Sequence, residues 1–297
     1  MNVLVTGGAG FIGTNLIRRL LKEGHNVVSL DNYSTGTMEN EVIIPKGCTY
    51  HNVDIRDAVD FDFFMESPDI VYHLAALPRI QPSFDYPAIT FEANVLSTLN
   101  LLDWILKKQT PEKQIPLIYA GSSSFHGGVY KNPYTFTKWQ GEEVVNMYHK
   151  IFGVPTAICR FYNVYGPHQL TEGEYCTVMG IFETQYENKE PLTITGDGTQ
   201  KRDFTHVEDI VDGFIKCGEQ IDKVNGETFE LGRGENHSIN VIAQSFDTEY
   251  TYIPKRPGEV QETLCTDTKA RDLLGWEPKI DILDYIEERR SELNRDS

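Results

Sequence analysis

The chain has 297 residues, 40% of them hydrophobic, with a formal net charge of −17. That is enough apolar material for one large α/β unit or two interlocked lobes, and too much negative charge for a nucleic-acid or anionic-membrane partner. The five cysteines, at 48, 159, 176, 217 and 265, contain no C-x-x-C pair and fit free thiols in a reducing compartment. No apolar run reaches the ~18 residues of a membrane span, and the N-terminus opens directly on a strand pattern. A cytoplasmic protein is expected.

The first element is that strand. Val3, Leu4 and Val5 form a short aliphatic run bounded by glycines, and Phe11 to Leu21 then places apolar residues at helical spacing. Between them Gly8-Ala9-Gly10-Phe11-Ile12-Gly13 fits G-x-G-x-x-G, and Gly7, Gly10 and Gly13 also fit G-x-x-G-x-x-G. Strand, glycine turn and helix together suit a phosphate that must approach the helix amides without meeting a Cβ. Gly13 is expected to let the helix pack close. A second strand, Asn26 to Leu30, ends at Asp31. A carboxylate there accepts from both ribose hydroxyls of an adenosine and repels a 2′-phosphate, so the pattern points to NAD rather than NADP.

Asn32 to Gly47 reads as loop, Thr49 to Val53 as a strand ending at Asp54, and Pro68 to His73 as the next strand. Leu74, Ala75 and Ala76 follow, small enough at a strand's carboxyl end to leave a ligand crevice. The spacing predicts one helix over Asp85 to Lys108, a strand over Ile115 to Ala120, a second long helix over Tyr134 to Phe152 and a strand over Val154 to Cys159. This alternation predicts an α/β fold, a doubly wound parallel sheet of Rossmann type. Beyond Gly166 come a helix over Val178 to Asn188, strands over Leu192 to Thr195 and Thr228 to Leu231, a helix over His206 to Gln220, and three short helical pieces. The expected division is a dinucleotide domain of residues 1–165 plus about 203–224, and an interleaved substrate lobe of 166–202 plus about 225–297.

Tyr134 and Lys138 are one helical turn apart and share a face, just beyond the strand that ends in Ser122-Ser123-Ser124. A free phenol near pKa ~10 is a poor base at neutral pH, but a nearby ammonium favours its ionised form. Ser122 could then hold a substrate oxygen and relay its proton to Tyr134. Without that position the pair would be an ordinary surface Tyr–Lys contact. The eight histidines show no ligand spacing, so no metal site is expected.

The glycine motif, Asp31-Asn32, His73-Leu74-Ala75-Ala76, Ser122 and Tyr134-x-x-x-Lys138 together resemble the extended short-chain dehydrogenase/reductase superfamily. Arg160-Phe161-Tyr162-Asn163-Val164-Tyr165-Gly166-Pro167, Gly196-Asp197-Gly198, Arg202-Asp203-Phe204, Arg256-Pro257-Gly258-Glu259 and Leu274-Gly275-Trp276 narrow this to the NAD-dependent nucleotide-sugar epimerases. The resemblance implies C4 epimerisation of a nucleotide-diphosphate sugar, most simply a UDP-sugar, by a homodimer. Tyr134 would be the base, Lys138 its electrostatic partner and Ser122 the relay. Gly7, Gly10, Phe11, Ile12, Gly13, Asp31, Asn32, Leu74, Ala75 and Ala76 would hold NAD. Asp54 and Ile55 would meet the adenine, and Asn94 and Ser124 the nicotinamide side. Ser123 and Ser124 would border the sugar, Asn163 and the clamp Arg202 and Arg256 the diphosphate, and Glu259 the nucleoside ribose. As bare charges, the two arginines would be solvated surface groups.

Three features depart from the family pattern. Only Phe125 to Pro133 separates the serines from Tyr134, and His126 replaces a tyrosine, so the pocket is expected to be more open. Arg79 could meet an acidic sugar, but a solvent-facing arginine is the expected outcome. Thr263 leaves room for an N-acetylated sugar. Related 4,6-dehydratases carry an acidic pair where this chain has serines, which favours an epimerase over a dehydratase or keto-reductase. A non-catalytic NAD-binding regulator is the remaining alternative, set against by the retained Tyr134 and Lys138.

Overall fold

The computed structural model describes residues 1–44, 46–57, 60–258 and 260–296. The first half runs β1 (Asn2–Thr6), α1 (Phe11–Lys22), β2 (Asn26–Asp31), α2 (Met38–Val42), β3 (Cys48–Asn52), β4 (Ile70–His73), α3 (Ile80–Asp85), α4 (Pro87–Phe91), α5 (Ser97–Lys108), β5 (Leu117–Ser122), α6 (Pro133–Phe152) and β6 (Thr156–Phe161). The second half runs β7 (Val164–Tyr165), α7 (Val178–Glu187), β8 (Leu192–Thr195), β9 (Lys201–Asp203), β10 (Thr205–His206), α8 (Val207–Glu219), α9 (Ile221–Val224) and β11 (Glu227–Leu231). It closes with β12 (Asn236–Ser238), α10 (Ile239–Ser245), β13 (Tyr250–Ile253), α11 (Lys269–Leu274) and α12 (Ile282–Asp296).

Seven strands form one parallel sheet in the order β11-β6-β5-β4-β1-β2-β3. Strand β1 shows why both faces must be covered. Val3 and Val5 point to one side, into a core with Leu16 and Ile17 of α1 and Ile210 and Phe214 of α8. Leu4 points to the other, against Leu101 and Ile105 of α5 and Val145 of α6. Successive strand residues alternate faces, so a strand apolar on every residue demands a helix layer on each side. The strand order reverses between β1 and β4, and the crevice beyond their carboxyl ends is where ligands collect in such sheets. A third core, with Phe182 of α7, Leu192 and Ile194 of β8, Ile242 of α10 and Ile286 of α12, holds the substrate-side lobe together.

Strand β11 pairs with β6 and completes the main sheet. One expectation needs correction. The expected helix Asp85–Lys108 starts two residues later, at Pro87 after a non-helical Tyr86, and runs through a π-turn at Glu92–Leu96 into α5. The π-turn fits its side chains, because Ser97 Oγ donates to the Ala93 carbonyl and Thr98 Oγ1 to the Asn94 carbonyl. All five cysteines are free, with Cys159 and Cys217 Sγ atoms 3.3 Å apart in the core. Among the described residues no helix is long and apolar enough to cross a membrane.

Candidate active site

The turn after β1 is closed by backbone contact. Gly7 has φ +75°, and a Cβ there would lie 2.7 Å from the Ala75 nitrogen. A Cβ on Gly13 would lie 2.1 Å from the Gly7 carbonyl, so this glycine seats α1 on the turn itself. Gly10 caps α1 with no side-chain hydrogen bond, and its missing Cβ faces open space apart from the Gly7 carbonyl at 3.3 Å. The first amides of α1 are thus presented at a helix N-terminus left open beside Gly10, which suits a pyrophosphate.

At the end of β2, Asp31 Oδ2 accepts from the Ala9 N–H at 2.9 Å and Oδ1 from the Tyr33 N–H at 2.8 Å. Burial nonetheless pushes its carboxyl up to about 6. Each oxygen retains a lone pair for a ribose hydroxyl. Asn32 donates to Asp54, whose carboxylate is also gripped by Arg56 through Nε at 2.9 Å and Nη2 at 2.6 Å. The Arg56 hydrogen bonds, the largest influence, hold Asp54 down at about 2. The opposite wall is fixed from behind. Thr6 Oγ1 accepts from the Ala75 N–H and bonds His73 Nδ1 at 2.6 Å, and His73 Nε2 meets Thr98 Oγ1 at 2.9 Å. His73 is a satisfied core histidine, pushed down to about 3 by desolvation.

The chemistry-bearing end lies beyond β5. Asn132 caps α6 by accepting from the Thr135 N–H at 2.8 Å, and Pro133 takes the first helical position, which puts Tyr134 in the first turn. Its Oη donates to Ser122 Oγ at 3.2 Å, and Ser122 Oγ donates to Ser124 Oγ at 2.9 Å. Lys138 Nζ sits over the Tyr119 ring, 4.3 Å from its centroid. Desolvation lowers the ammonium to about 8, with the Glu142 charge acting in the other direction. Burial raises the Tyr134 phenol, while the Ser122 hydrogen bond and the charge of Arg79 act to lower it.

Lys138 is followed one turn later by Glu142, and Glu142 opens a line of paired charges that is buried as far as Glu230 and ends on the exposed His126. Arg160 Nη2 meets Glu142 Oε2 at 2.6 Å, its Nη1 meets Glu230 Oε1 at 3.0 Å, and His126 Nε2 meets the same Glu230 oxygen at 2.9 Å. Arg160 also stacks on Phe125, 3.7 Å from the ring centroid. His126, raised chiefly by its hydrogen bond to Glu230, thereby ties the short 125–133 loop to the sheet. The spacing of Tyr134, Lys138 and Glu142, each one turn after the last, was the available signal for this line.

One cavity of about 830 Å³ unites the two ends. Every expected site residue described by the structure lines it except Asn94; Glu259 lies outside the described residues. Asn94 stands behind the wall, its Oδ1 accepting from the Leu77 N–H at 2.8 Å and its Nδ2 donating to Thr137 Oγ1 at 3.0 Å. It shapes the pocket through Leu77. Asn163 is also committed: Nδ2 donates to the Asp203 carbonyl and to Thr263 Oγ1, both at 2.9 Å. Both amide hydrogens are spent, so Asn163 positions Thr263 and offers a ligand only its oxygen. Arg202 and Arg256 both line the cavity, Arg202 anchored by Nη1 on the Lys201 carbonyl at 2.9 Å. Arg79 is not solvent-facing. It lines the cavity, with Nε donating to the Tyr175 carbonyl at 2.8 Å. Tyr175, Cys176 and Thr177 beside it also line the cavity and were hidden in what reads as a polar loop. Among the described residues Glu235, His237 and Asp281 could surround a cation, but they lie outside this cavity and Asp281 already pairs with Arg233 at 3.0 Å.

The fold and cavity define a nucleotide-dependent short-chain dehydrogenase/reductase scaffold. Residues 3–232 match the model of the NAD dependent epimerase/dehydratase family, and the chain belongs to that family. A putative UDP-glucose 4-epimerase of Methanocaldococcus jannaschii is 32% identical over 307 residues, covering 96% of this chain and 95% of the relative. The structure of Pal from Bacillus thuringiensis superposes with a TM-score of 0.90 at 31% identity, over 100% of both chains. The Bacillus cereus UDP-glucuronic acid 4-epimerase in complex with UDP-glucuronic acid and NAD superposes with a TM-score of 0.86 at 28% identity, again over 100% of both. NAD is the cofactor of this family, and the α1 amides, the Gly10 opening and Asp31 fit it here.

Proposed function

We propose that the protein inverts C4 of a UDP-sugar through a 4-keto intermediate, with Tyr134 as the base. The observation that supports this most is the 3.2 Å contact from Tyr134 Oη to Ser122 Oγ, made inside the cavity that also contains the glycine turn, Asp31, Arg202 and Arg256. The α1 amides and Asp31 would hold the pyrophosphate and adenosine ribose of NAD, which when bound supplies a hydride acceptor and later donor at C4. Tyr134, as phenolate, takes the C4 hydroxyl proton, with Ser122 orienting that oxygen. The guanidinium forks of Arg202 and Arg256 suit a diphosphate in so acidic a protein. A sugar held only through its nucleotide can turn over, and Tyr134 then returns the proton with C4 inverted.

The dehydratase alternative needs a carboxylate near the reacting end to remove the C5 proton. Among the described residues the acids lining the cavity are Asp31 and Asp54, at the adenosine end, and the exposed Glu174, whereas Ser123 and Ser124 border the reacting end. A keto-reductase would consume NADH stoichiometrically, and a regulator would bind NAD without turnover. Purified protein should interconvert C4 epimers of at least one of UDP-glucose, UDP-N-acetylglucosamine and UDP-glucuronate. Tyr134→Phe should keep NAD and lose turnover. All three sugars returned unchanged by NAD-loaded protein, or turnover by Tyr134→Phe, would sink the proposal.

A further inference from the structure

The cations that line the cavity among the described residues are Arg56, Arg79, Lys131, Lys138, Arg202 and Arg256. The acids that line it are Asp31, Asp54 and Glu174, so the cavity is net positive inside a chain of formal charge −17. Four of the cations have work already. Arg56 is paired with Asp54 at 2.6 Å. Lys138 stands one turn after Tyr134, and Arg202 and Arg256 match a diphosphate. Arg79 and Lys131 remain, and among the described residues no ion pair joins either to an acid.

Both belong to the reacting end. The Tyr134 N–H donates to Ser83 Oγ at 3.1 Å, and Ser83 Oγ donates to the Ile80 carbonyl at 2.6 Å. Arg79 immediately precedes Ile80 at the head of α3, so its turn and that of Tyr134 are bonded together. Lys131 lies three residues before Tyr134, in the short loop, with its N–H held on the Gly128 carbonyl at 3.2 Å. Arg79 is anchored by one edge. Its Nε donates to the Tyr175 carbonyl at 2.8 Å, and among the described residues neither Nη group has a protein acceptor. The N–H donors of both Nη groups are left for a ligand. Glu174, beside Tyr175, is exposed and makes no ion pair with the arginine.

We propose that this corner of the cavity takes a carboxylate borne on the sugar, at C6 of a UDP-hexuronate, with Arg79 as the specificity-determining contact and Lys131 adding charge. The inference deepens the reading of the cavity as a UDP-sugar site and rests on it. The guanidinium fork matches a carboxylate in shape and charge. C6 is bonded to C5, the neighbour of the C4 that Tyr134 would serve, so its carboxylate stays at the reacting end. No acid there repels it, and Ser123 and Ser124 add hydroxyl donors. A neutral hydroxymethyl group at C6 would leave both cations unanswered. Arg79 is half-buried rather than sealed in, so the contact can break and re-form while the keto sugar turns.

The test reads binding rather than turnover. NAD-loaded protein is titrated calorimetrically with UDP-glucuronate, UDP-glucose and UDP-N-acetylmuramate. UDP-glucuronate should bind at least about tenfold more tightly than UDP-glucose, as one charge-assisted hydrogen bond supplies. Arg79→Gln should weaken UDP-glucuronate by about tenfold and leave UDP-glucose within about twofold. Lys131→Gln, at an exposed position, should weaken UDP-glucuronate by about threefold. Equal affinity for the two sugars in the intact protein overturns the proposal, and this comparison decides alone should Arg79→Gln not fold. An Arg79→Gln protein that loses both sugars in equal measure also overturns it, because Arg79 would then serve the shared nucleotide. A preference for UDP-N-acetylmuramate alone, whose carboxylate hangs from O3, overturns the placement at C6. If no UDP-sugar is epimerised while Arg79→Gln abolishes the preference, the C4 chemistry fails and this assignment stands. Epimerisation without any preference for UDP-glucuronate is the reverse.

Discussion

Glu142→Gln removes one charge from the middle of the line Lys138, Glu142, Arg160, Glu230 and His126, and its effect can be worked out for both stability and pH response. Breaking a fully buried ion pair costs about 3–5 kcal/mol because the surviving charge is left uncompensated. Here Arg160 keeps Glu230 at 3.0 Å, and the glutamine oxygen still accepts one of its N–H groups. A loss of about 2 kcal/mol is expected, read by denaturant unfolding of the NAD-free protein. The second effect falls on Lys138. Desolvation already lowers it to about 8, and Glu142 is the charge that resists. Without Glu142 the ammonium should fall by on the order of one further unit. The proposed role of Lys138 is that of an ammonium beside the phenol, so its contribution is lost as pH rises through its pKa. The alkaline limb of kcat/KM should therefore move down, with activity falling about twofold at pH 7 and about fivefold at pH 8 relative to the intact protein. An unchanged unfolding midpoint with an unmoved alkaline limb would refute the reasoning. A stability loss without the pH shift would leave Glu142 a structural residue only.

His73 is held neutral in the fold at a pKa of about 3, below its ordinary 6.5, so the unfolded chain binds the proton first and stability falls as pH drops below 6.5. Between pH 7 and pH 5 this group should remove about 2 kcal/mol, and His73→Gln should lose that much less over the same interval in urea unfolding. Equal losses would show that His73 titrates normally. The exposed Ile89 and Phe91 of α4, Leu96 after them, and Met147 and Ile151 of α6 form an apolar surface that a second copy of the chain would bury in a four-helix contact. Light scattering should give twice the 33.8 kDa chain mass, and Met147→Asp with Ile151→Asp should give the monomer. A monomeric intact protein contradicts this.

Much of the sheet and of the dinucleotide end was legible because local chemistry decides them. The glycine spacing from Gly7 to Gly13 records backbone contacts that no side chain permits, and the all-apolar Val3-Leu4-Val5 records a strand buried on both faces. The place of strand β11 in the main sheet was not legible because its partner, β6, lies far away in sequence; Glu227 and Glu230 also make its pattern look half-exposed, whereas Glu230 is buried against Arg160 and His126. The π-turn at Glu92–Leu96 was invisible because a 3.6-residue period changes little across one widened turn, yet it sets Asn94 behind the wall rather than in it. Arg79 was misplaced for a related reason. An arginine in a loop is usually solvated, and only the folded position of Tyr175 and the shared cavity show where it lies. Helical spacing places Lys138 and Tyr134 on one face, but it does not report which way an ammonium turns. The Tyr119 ring and Glu142, on the same helix, draw it aside.

The central claim is that a hydrogen leaves C4 and returns to the same carbon from the other side. A UDP-sugar that the purified protein accepts, deuterated at C4, tests it in one experiment followed by NMR. The account predicts an inverted C4 that still carries its deuterium. Deuterium lost to solvent, a product that has shed water, or a C4 that keeps its configuration with every sugar offered would contradict it.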